Sequence, residues 1–470
     1  MNSNGNNEAL ADTVSERTQS LRKRGLKDEK VLEALIAAEN GIAEPKRLKA
    51  EVFDKMNHTY RSYTDGMIRV RLDYDFIIDI DVLKTVMLCM LERVPIFHSS
   101  FTSNFFNPFW TVCDYDINEV VTSEYAESEA AADEFLLGII PHCANIQFRC
   151  HVVFCGGKTL LCILTNHMCT DGGDIMRIMR SVTANYTAYV ESSVPPIAFP
   201  TGNRGFGEVY KSFSLKDRIK AKLLISNPST KDKHRLPFSE SRESDSPVIV
   251  RRTIPHELFS AACKVGKKYG GSVNDVASAA CIYAGYVAEK LDRNKPFEIS
   301  CAINLRRHIA NPENLGITNY IAFMHCAVPK FDDTETLLKN VIECNKKNKS
   351  DKFLGLHGLS LLRFAYHSMI YAQAQPIIRL FRRDSGLVFS NVGVFKDGEL
   401  SLCGHTPEDC FMCGGAKNKP CSVLVGCTIN GDFSLAVCIK GNDEDRKILE
   451  GFFDELETGF KLITELGEKK

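Results

Sequence analysis

The sequence predicts a mixed α/β protein made of two units of similar size, each combining strands with helices. Short strands occur in pairs joined by glycine turns, amphipathic helices lie next to them, and no regular βαβ repeat is present. A polar stretch containing prolines and serines separates the units and predicts a linker. We therefore divide the chain into an N-terminal extension (1–50), a first unit (51–195), a linker (196–250) and a second unit (251–470).

The composition is that of a globular protein, with 44% apolar and 25% charged residues. Lysine and arginine (58) balance aspartate and glutamate (59), which argues against a nucleic-acid partner. The N-terminus lacks the apolar core of a signal peptide, and no stretch approaches the roughly 20 apolar residues of a membrane span. Eighteen cysteines without a short disulfide framework predict reduced thiols and a cytoplasmic protein.

The first unit begins after a polar extension, in which we expect disorder over the first twenty residues and a helix at about 28–39. The alternating segment Met67–Leu72 predicts a strand. Asp79 or Asp81 is suited to cap a following helix, which Pro95 ends. Residues 146–154 and 158–165 flank two glycines and predict a hairpin, whose second strand leads directly to His167.

The second unit opens with Ser272-Val-Asn-Asp275, which resembles a capping box at the start of an apolar helix. Phe297–Leu305 and Leu387–Val392 predict buried strands. Residues 421–429 and 433–439 flank Asn430-Gly431, the pair preferred in a type I′ hairpin turn. An amphipathic helix is predicted at about 443–466.

The most informative motif lies where the second strand of the first hairpin ends and a helix is predicted to start, at about residue 173. It has the form His-x-x-x-Asp-Gly and is made of Asn166-His167-Met168-Cys169-Thr170-Asp171-Gly172. A histidine at a strand end is held on rigid backbone and can act as a general base. Asp171 could fold back to fix the imidazole or could anchor the turn. The alternative is a packed or solvated histidine with no chemical role.

Cysteines suggest two further hypotheses. Cys169 lies inside the motif, but a middle position is expected to point away from His167, which argues against a nucleophile. A second group has metal-ligand spacing and could form a structural zinc site or could be a loop rich in small residues; it comprises Cys403, His405, Cys410, Cys413 and Cys421. A second Cys-x-x-Cys pair is missing, so we predict no metal.

Four segments, in order, resemble motifs of the His-x-x-x-Asp-Gly acyltransferases. This superfamily includes condensation domains, alcohol acetyltransferases, wax ester synthase-like enzymes, polyketide-associated acyltransferases and chloramphenicol acetyltransferase. The resemblance spans about residues 55–465 and is carried by Arg93-Val-Pro-Ile-Phe97, the motif at 166–172, Ser272–Asp275 with Ile303-Asn-Leu-Arg306, and Ser390-Asn-Val-Gly393. Many members have two histidines in tandem, and this chain has Asn166 in the first position.

The resemblance implies a pseudo-dimer of two chloramphenicol-acetyltransferase-like lobes with an active-site tunnel between them. It implies His167 as the general base. Asp171 is assigned to the catalytic motif and is expected to pair with Arg306. Gly172, with the helix start after it, and Ser390 and Asn391 are candidates for structural or oxyanion-binding roles. Ser390 and Asn391 could equally hold a strand that crosses between the lobes.

The implied function is transfer of an acyl group from a thioester to an alcohol or amine, without an acyl-enzyme. The donor is acyl-CoA as co-substrate, or a carrier-protein thioester, and no tightly bound cofactor is expected. A small alcohol or amine accepts the group. We expect a monomer. The alternative from a different class is a non-catalytic, condensation-like binding or scaffold protein.

Overall fold

The computed structural model of the chain describes residues 14–39, 45–224, 233–241, 245–287, 291–292, 294–328, 331–380 and 386–468. Thirteen of the twenty residues expected to be disordered lie outside this part. Residues 14–23 form a helix, α1, so the expectation is wrong for 14–20. Among the described residues, no helix is both long and apolar enough to cross a membrane.

The first half of the chain forms helices and strands that alternate irregularly. They are α2 (Glu29–Glu39), β1 (Arg47–Lys49), α3 (Val52–Thr59), β2 (Met67–Tyr74), α4 (Ile80–Arg93), β3 (Ser99–Thr102), β4 (Phe109–Val112), α5 (Ile117–Val120), β5 (Val121–Tyr125), α6 (Ala130–Leu136), β6 (Phe148–Cys155), β7 (Lys158–Asn166) and α7 (Gly172–Ser192).

The second half has the same mixed character. Its elements are α8 (Glu208–Lys211), α9 (Leu215–Leu223), β8 (Ser246–Ile254), α10 (His256–Lys268), α11 (Val273–Val287), β9 (Phe297–Asn304), β10 (Ile321–Val328), α12 (Thr334–Lys349), α13 (Leu359–Ser368), α14 (Tyr371–Leu380), β11 (Leu387–Val394), β12 (Asp409–Cys413), β13 (Lys417–Asn418), β14 (Ser422–Ile429), β15 (Asp432–Gly441) and α15 (Asp443–Glu465).

Each lobe is built on its own sheet. The N-terminal lobe has the strand order β12-β2-β7-β6-β5, and the predicted hairpin β6–β7 is its centre. The C-terminal lobe has the order β10-β9-β11-β14-β15-β13, with β8 paired to β15. Helices α4 and α7 contribute to the first core, and α10, α11, α12 and α15 to the second. The predicted two-lobed mixed α/β class is confirmed.

Strand β12 crosses from the C-terminal half of the chain into the sheet of the N-terminal lobe. It pairs antiparallel with β2, with Cys410 opposite Leu72 and Met412 opposite Val70. Both strand residues pack into the core of the N-terminal lobe. The predicted second unit (251–470) therefore does not form one lobe alone, because β2 would otherwise leave an unpaired edge.

The described parts of the segment assigned as a linker (196–224, 233–241 and 245–250) are packed rather than extended between the lobes. Phe206, Val209 and Tyr210 are buried, and Arg204 forms a salt bridge with Asp54 of α3 at 3.2 Å. Its last residues, from Ser246, form β8. The composition suggested a linker because polar residues dominate this segment. Its widely spaced aromatic side chains nevertheless pack into the core and hold the segment there.

The N-terminal extension is also part of the first lobe. Leu21 of α1 and Val31 and Leu35 of α2 are fully buried in the core of that lobe. Buried Glu92 of α4 accepts hydrogen bonds from Arg17 and Arg24. The described part of the extension therefore packs against α4 and is not an independent appendage of the lobe.

Candidate functional site

The motif loop is attached to the end of β7 by backbone and side-chain hydrogen bonds. The His167 amide donates to the carbonyl of Gly66 at 2.7 Å. The Asn166 side chain accepts from the Met168 amide and donates to Gln147 Oε1, each at 3.0 Å. Asn166 is buried. The residue that replaces the first histidine of the tandem therefore holds the turn and leaves His167 in its place.

The imidazole of His167 is fixed through one ring nitrogen. Nδ1 lies 2.8 Å from the carbonyl oxygen of Thr170. Because a carbonyl can only accept, Nδ1 must carry the proton, and the neutral ring then has its lone pair on Nε2. Among the described residues, Nε2 has no hydrogen-bond partner, and the side chain is partly exposed. This is the tautomer that a general base requires.

Asn319 approaches the histidine from the C-terminal half of the chain. Its Nδ2 donates to the carbonyl of His167 at 3.1 Å and lies equally far from Nδ1. Two donors cannot share a bond, so the contact with the carbonyl is the hydrogen bond. Asn319 Oδ1 accepts from the amide of Ile321. The loop before β10 therefore fixes the histidine backbone from the opposite lobe.

The pKa of His167 is lowered. Burial is the largest cause, because it disfavours the imidazolium. The negative charge of Asp171 and the hydrogen bond to Thr170 oppose this shift in part, and Lys417 adds to it. The ring is therefore neutral near pH 7 and able to accept a proton at Nε2.

Asp171 does not orient the imidazole through a hydrogen bond. One carboxylate oxygen caps α7 by accepting from the amide of Asp174 at 2.9 Å. The other accepts from the amide of Tyr320 at 2.7 Å and from Arg306 Nη1 at 2.8 Å. Burial alone would raise the pKa of Asp171, but Arg306 and these amides hold it below its usual value. Asp171 is a positioning residue that joins the motif loop to the other lobe.

The expected ion pair between Arg306 and Asp171 is present, and it is part of a larger network. Arg306 Nη2 contacts Asp174 at 2.7 Å and donates to the carbonyl of Thr318 at 3.0 Å. Burial raises the pKa of Asp174 to about 6, although Arg306 and Arg177 oppose that shift. Arg306, Asp171 and Asp174 are all buried. One guanidinium therefore joins both carboxylates at the start of α7 to the C-terminal lobe.

Gly172 is required by the close approach of two elements. A Cβ atom there would lie 2.5 Å from Cγ1 of Val392 in β11, and its φ is not in the left-handed region. At Gly173 a Cβ would lie 3.3 Å from Asn304 Nδ2 and from Asp171 Oδ1. The start of α7 is therefore pressed against β11 and the Arg306 network.

Ser390 and Asn391 lie on β11, the strand that contacts α7. Asn391 Nδ2 donates to Asn274 Oδ1 at 2.7 Å, and its Oδ1 accepts from the amide of Gly393. These bonds join a bulge in β11 to the start of α11. They engage Asn391 structurally, whereas Ser390 is partly exposed and its role is still a prediction.

The cysteine hypotheses have different outcomes. Cys169 is fully buried, its Sγ is directed at the carbonyl of Ile96, and burial raises the pKa of its thiol well above the usual value. Cys410 and Cys413 pack into different cores on opposite sides of the sheet. In the described part of the chain, no group of three or more potential ligands could hold a metal ion. The described residues therefore give the zinc alternative no support, and the absence of a metal stays a prediction.

Sequence reasoning missed Asn319, Tyr320 and Asp174. None belongs to a recognisable motif, and Asp174 looks like an ordinary acidic residue in the first turn of a helix. Asn319 does carry a usable signal, because it is a polar residue two positions before a strand, much as His167 is a polar residue directly after one.

Comparison with solved structures places this architecture among known folds. Polyketide synthase associated protein 5 from Mycobacterium tuberculosis superposes with a TM-score of 0.60 at 14% identity, over 88% of this chain and 99% of that one. The epimerization domain of the third module of tyrocidine synthetase B gives 0.62 at 12%, over 90% and 98%. The first condensation domain of the calcium-dependent antibiotic synthetase, with a substrate analogue bound, gives 0.63 at 12%, over 89% and 96%.

At the level of sequence, no protein-family model and no curated protein matches the chain. The similarity to solved structures nevertheless extends over nearly the whole of both chains, so both lobes are included. The identities are too low to transfer a substrate or a reaction. The chain has the two-lobed fold of condensation domains.

Proposed function

We propose that this protein is an acyltransferase that moves an acyl group from a thioester to an alcohol or amine, with His167 as general base. The observation that carries the proposal is the state of the imidazole. Nδ1 is held by Thr170, while Nε2 is unpaired among the described residues at a junction of the two lobes. The fold shared with condensation domains also supports an acyl-transfer reaction.

In the proposed reaction, Nε2 removes the proton from the acceptor hydroxyl or amine as its oxygen or nitrogen attacks the thioester carbonyl. The tetrahedral intermediate collapses with cleavage of the carbon–sulfur bond. The imidazolium then returns the proton to the leaving thiolate, which departs as a free thiol. The neutral resting state of His167 suits this cycle, because the ring must accept a proton before it donates one.

The donor is proposed to carry its thioester on coenzyme A or on the phosphopantetheine arm of a carrier protein. A mutant starter condensation domain of rhizomide synthetase with the same fold has been solved in complex with C8-CoA and Leu-SNAC. For this chain, we propose an active-site tunnel that admits either donor class.

The test is incubation of the purified protein with acyl-CoAs of different lengths, or acylated carrier protein, and a panel of alcohols and amines. Products are detected by mass spectrometry, because Cys143 is exposed and would give a background in a thiol assay. His167→Ala should reduce kcat by at least about a hundredfold, the usual contribution of a general base.

Cys169→Ala is the matched control within the motif loop and should retain most of the activity, because its buried thiol has no role in the proposed reaction. Circular dichroism should show both variants folded. Full activity of a folded His167→Ala variant would disprove the base. Absence of product from the wild type with both donor classes would favour the non-catalytic binding protein.

A further inference from the structure

Large apolar side chains are concentrated on one outer surface of the molecule. Of the seventeen large hydrophobic side chains that are exposed in the described chain, nine lie on α9, α13, α14 and the loop before β4. We call them the apolar surface; they are Phe105, Phe106, Leu215, Ile219, Leu223, Leu361, Phe364, Ile377 and Leu380. Single exposed apolar residues are ordinary, but a cluster of this size marks an interaction site.

The elements that carry this surface are neighbours. Inner residues of α9 and α13, among them Ala221 and Leu359, share one buried cluster. Residues of α13 and α14, including Tyr366 and Ile378, share another. The amide of Tyr371, at the start of α14, donates to the carbonyl of Phe106 at 3.0 Å. The exposed apolar residues therefore lie on elements that pack against one another.

Helix α9 shows how the surface is organised. Leu215, Ile219 and Leu223 are 75%, 55% and 75% exposed and recur every fourth residue, so they form one stripe. At about 100° per residue, buried Ala221 lies opposite the stripe, and Lys216 and Lys222 flank it on its two sides. The helix thus presents apolar side chains outward with cations at both margins.

The charge of the face is one-sided, although that of the chain is balanced. Helices α9, α13 and α14 contain six lysines and arginines and one carboxylate, Asp217, which is paired with Lys352 at 2.7 Å. Lys216, Lys220 and Lys222 are exposed. Burial is the largest cause that lowers the pKa of His367 on α13; the nearby cations Arg363, Lys55 and Lys49 lower it further, and Glu51 opposes the shift. These observations agree on a positive potential.

We propose that this face binds the surface of a membrane that contains anionic lipids. An apolar stripe bordered by lysines matches the boundary between acyl chains and headgroups, since the leucine and phenylalanine side chains enter the apolar layer while the ammonium groups meet phosphate. A protein partner would be matched by the apolar residues, but it gives no reason for lysines along both margins of the stripe, where Lys216 and Lys222 have no carboxylate partner among the described residues.

The test is co-sedimentation of the full-length protein with vesicles of phosphatidylcholine, alone or with one quarter phosphatidylserine. Binding is expected to the anionic vesicles and to weaken as salt is raised. Ile219→Gln combined with Leu223→Gln should weaken partitioning at least tenfold. Lys216→Glu combined with Lys222→Glu should weaken it by more than about fivefold per site, the contribution of one basic residue near an anionic membrane.

The matched control combines Ile139→Gln with Val190→Gln, two exposed apolar residues outside the surface, and should bind as the wild type does. Thermal unfolding verifies that each variant is folded. Equal binding by all variants, or no binding to anionic vesicles, would overturn the proposal. So would oligomers in solution that the Ile219 and Leu223 substitutions dissociate, in the absence of vesicle binding, because the face would then be a contact between copies.

Discussion

At the scale of single residues, the site depends on the different hydrogen bonding of two motif residues, His167 and Asp171. In the described part of the chain, one ring nitrogen of His167 has no partner, whereas Asp171 has both carboxylate oxygens engaged. The motif therefore separates chemistry from positioning: the histidine is available to a substrate, and the carboxylate holds the loop against the second lobe.

The acidity of His167 gives a prediction for pH dependence. A base acts in its deprotonated form, so kcat/KM should rise with pH through the pKa of His167 and then become constant. Because burial lowers that pKa, the midpoint should lie below 6.5, the ordinary value for histidine. The profile should be measured from pH 5 to 9 with an alcohol acceptor, whose own ionisation does not intervene. A midpoint above 7 would contradict the lowered pKa.

The identities of the site residues differ in how far the sequence revealed them. His167 was identifiable because the strand, the turn and the motif coincide along the chain. The pairing of Asp171 with Arg306 was an expectation from charge, because a buried carboxylate needs a cation, and the structure contains it at 2.8 Å. Asn319 and Asp174 were not identifiable, because their importance arises only from contact with distant residues.

At the scale of elements, local signals were sufficient where a turn or cap has a specific chemical requirement. Asp79 caps α4 by accepting from two backbone amides. Asn430 and Gly431 both have positive φ, as the predicted type I′ turn requires. Packing extended the predicted elements by a few residues, for example α7 to Gly172–Ser192 and β7 to Lys158–Asn166.

Helix α2 provides a stability test of the N-terminal extension. Leu35 is fully buried in the core of the first lobe, so Leu35→Ala should lower the free energy of unfolding by about 2–5 kcal/mol. Urea denaturation followed by tryptophan fluorescence is suitable, because Trp110 lies in the same core.

Glu33→Ala is the control on the exposed side of the same helix and should change stability by less than about 0.5 kcal/mol. If both variants unfolded at the same urea concentration as the wild type, the extension would be an independent arm, as its polar composition suggested.

At the scale of the whole molecule, two features join the lobes near the site. Strand β12 completes the sheet of the N-terminal lobe, and Arg306 joins the start of α7 to the loop before β10. The motif loop is therefore held by both lobes, and its geometry depends on their relative position.

Removal of Arg306 tests this connection. Arg306→Met would leave Asp171 and Asp174 buried without their cation, and such a broken network typically costs about 3–5 kcal/mol. Differential scanning calorimetry should show a large decrease in Tm. Arg307→Met, a neighbouring exposed arginine, should leave Tm nearly unchanged. Equal Tm values for the two variants would mean that the ion-pair network does not hold the lobes together.

The sequence by itself determined the mixed α/β class, the main strands and helices, the two glycine-turn hairpins and the position of His167, because each depends on residues close together in the chain. Only the tertiary structure decided that the described residues within 196–250 are packed, that β12 belongs to the other lobe, and that Asn319 and Asp174 join the site. These features are contacts between residues far apart in sequence. Such contacts are stabilised by burial, but they produce no periodic pattern along the chain from which they could be predicted.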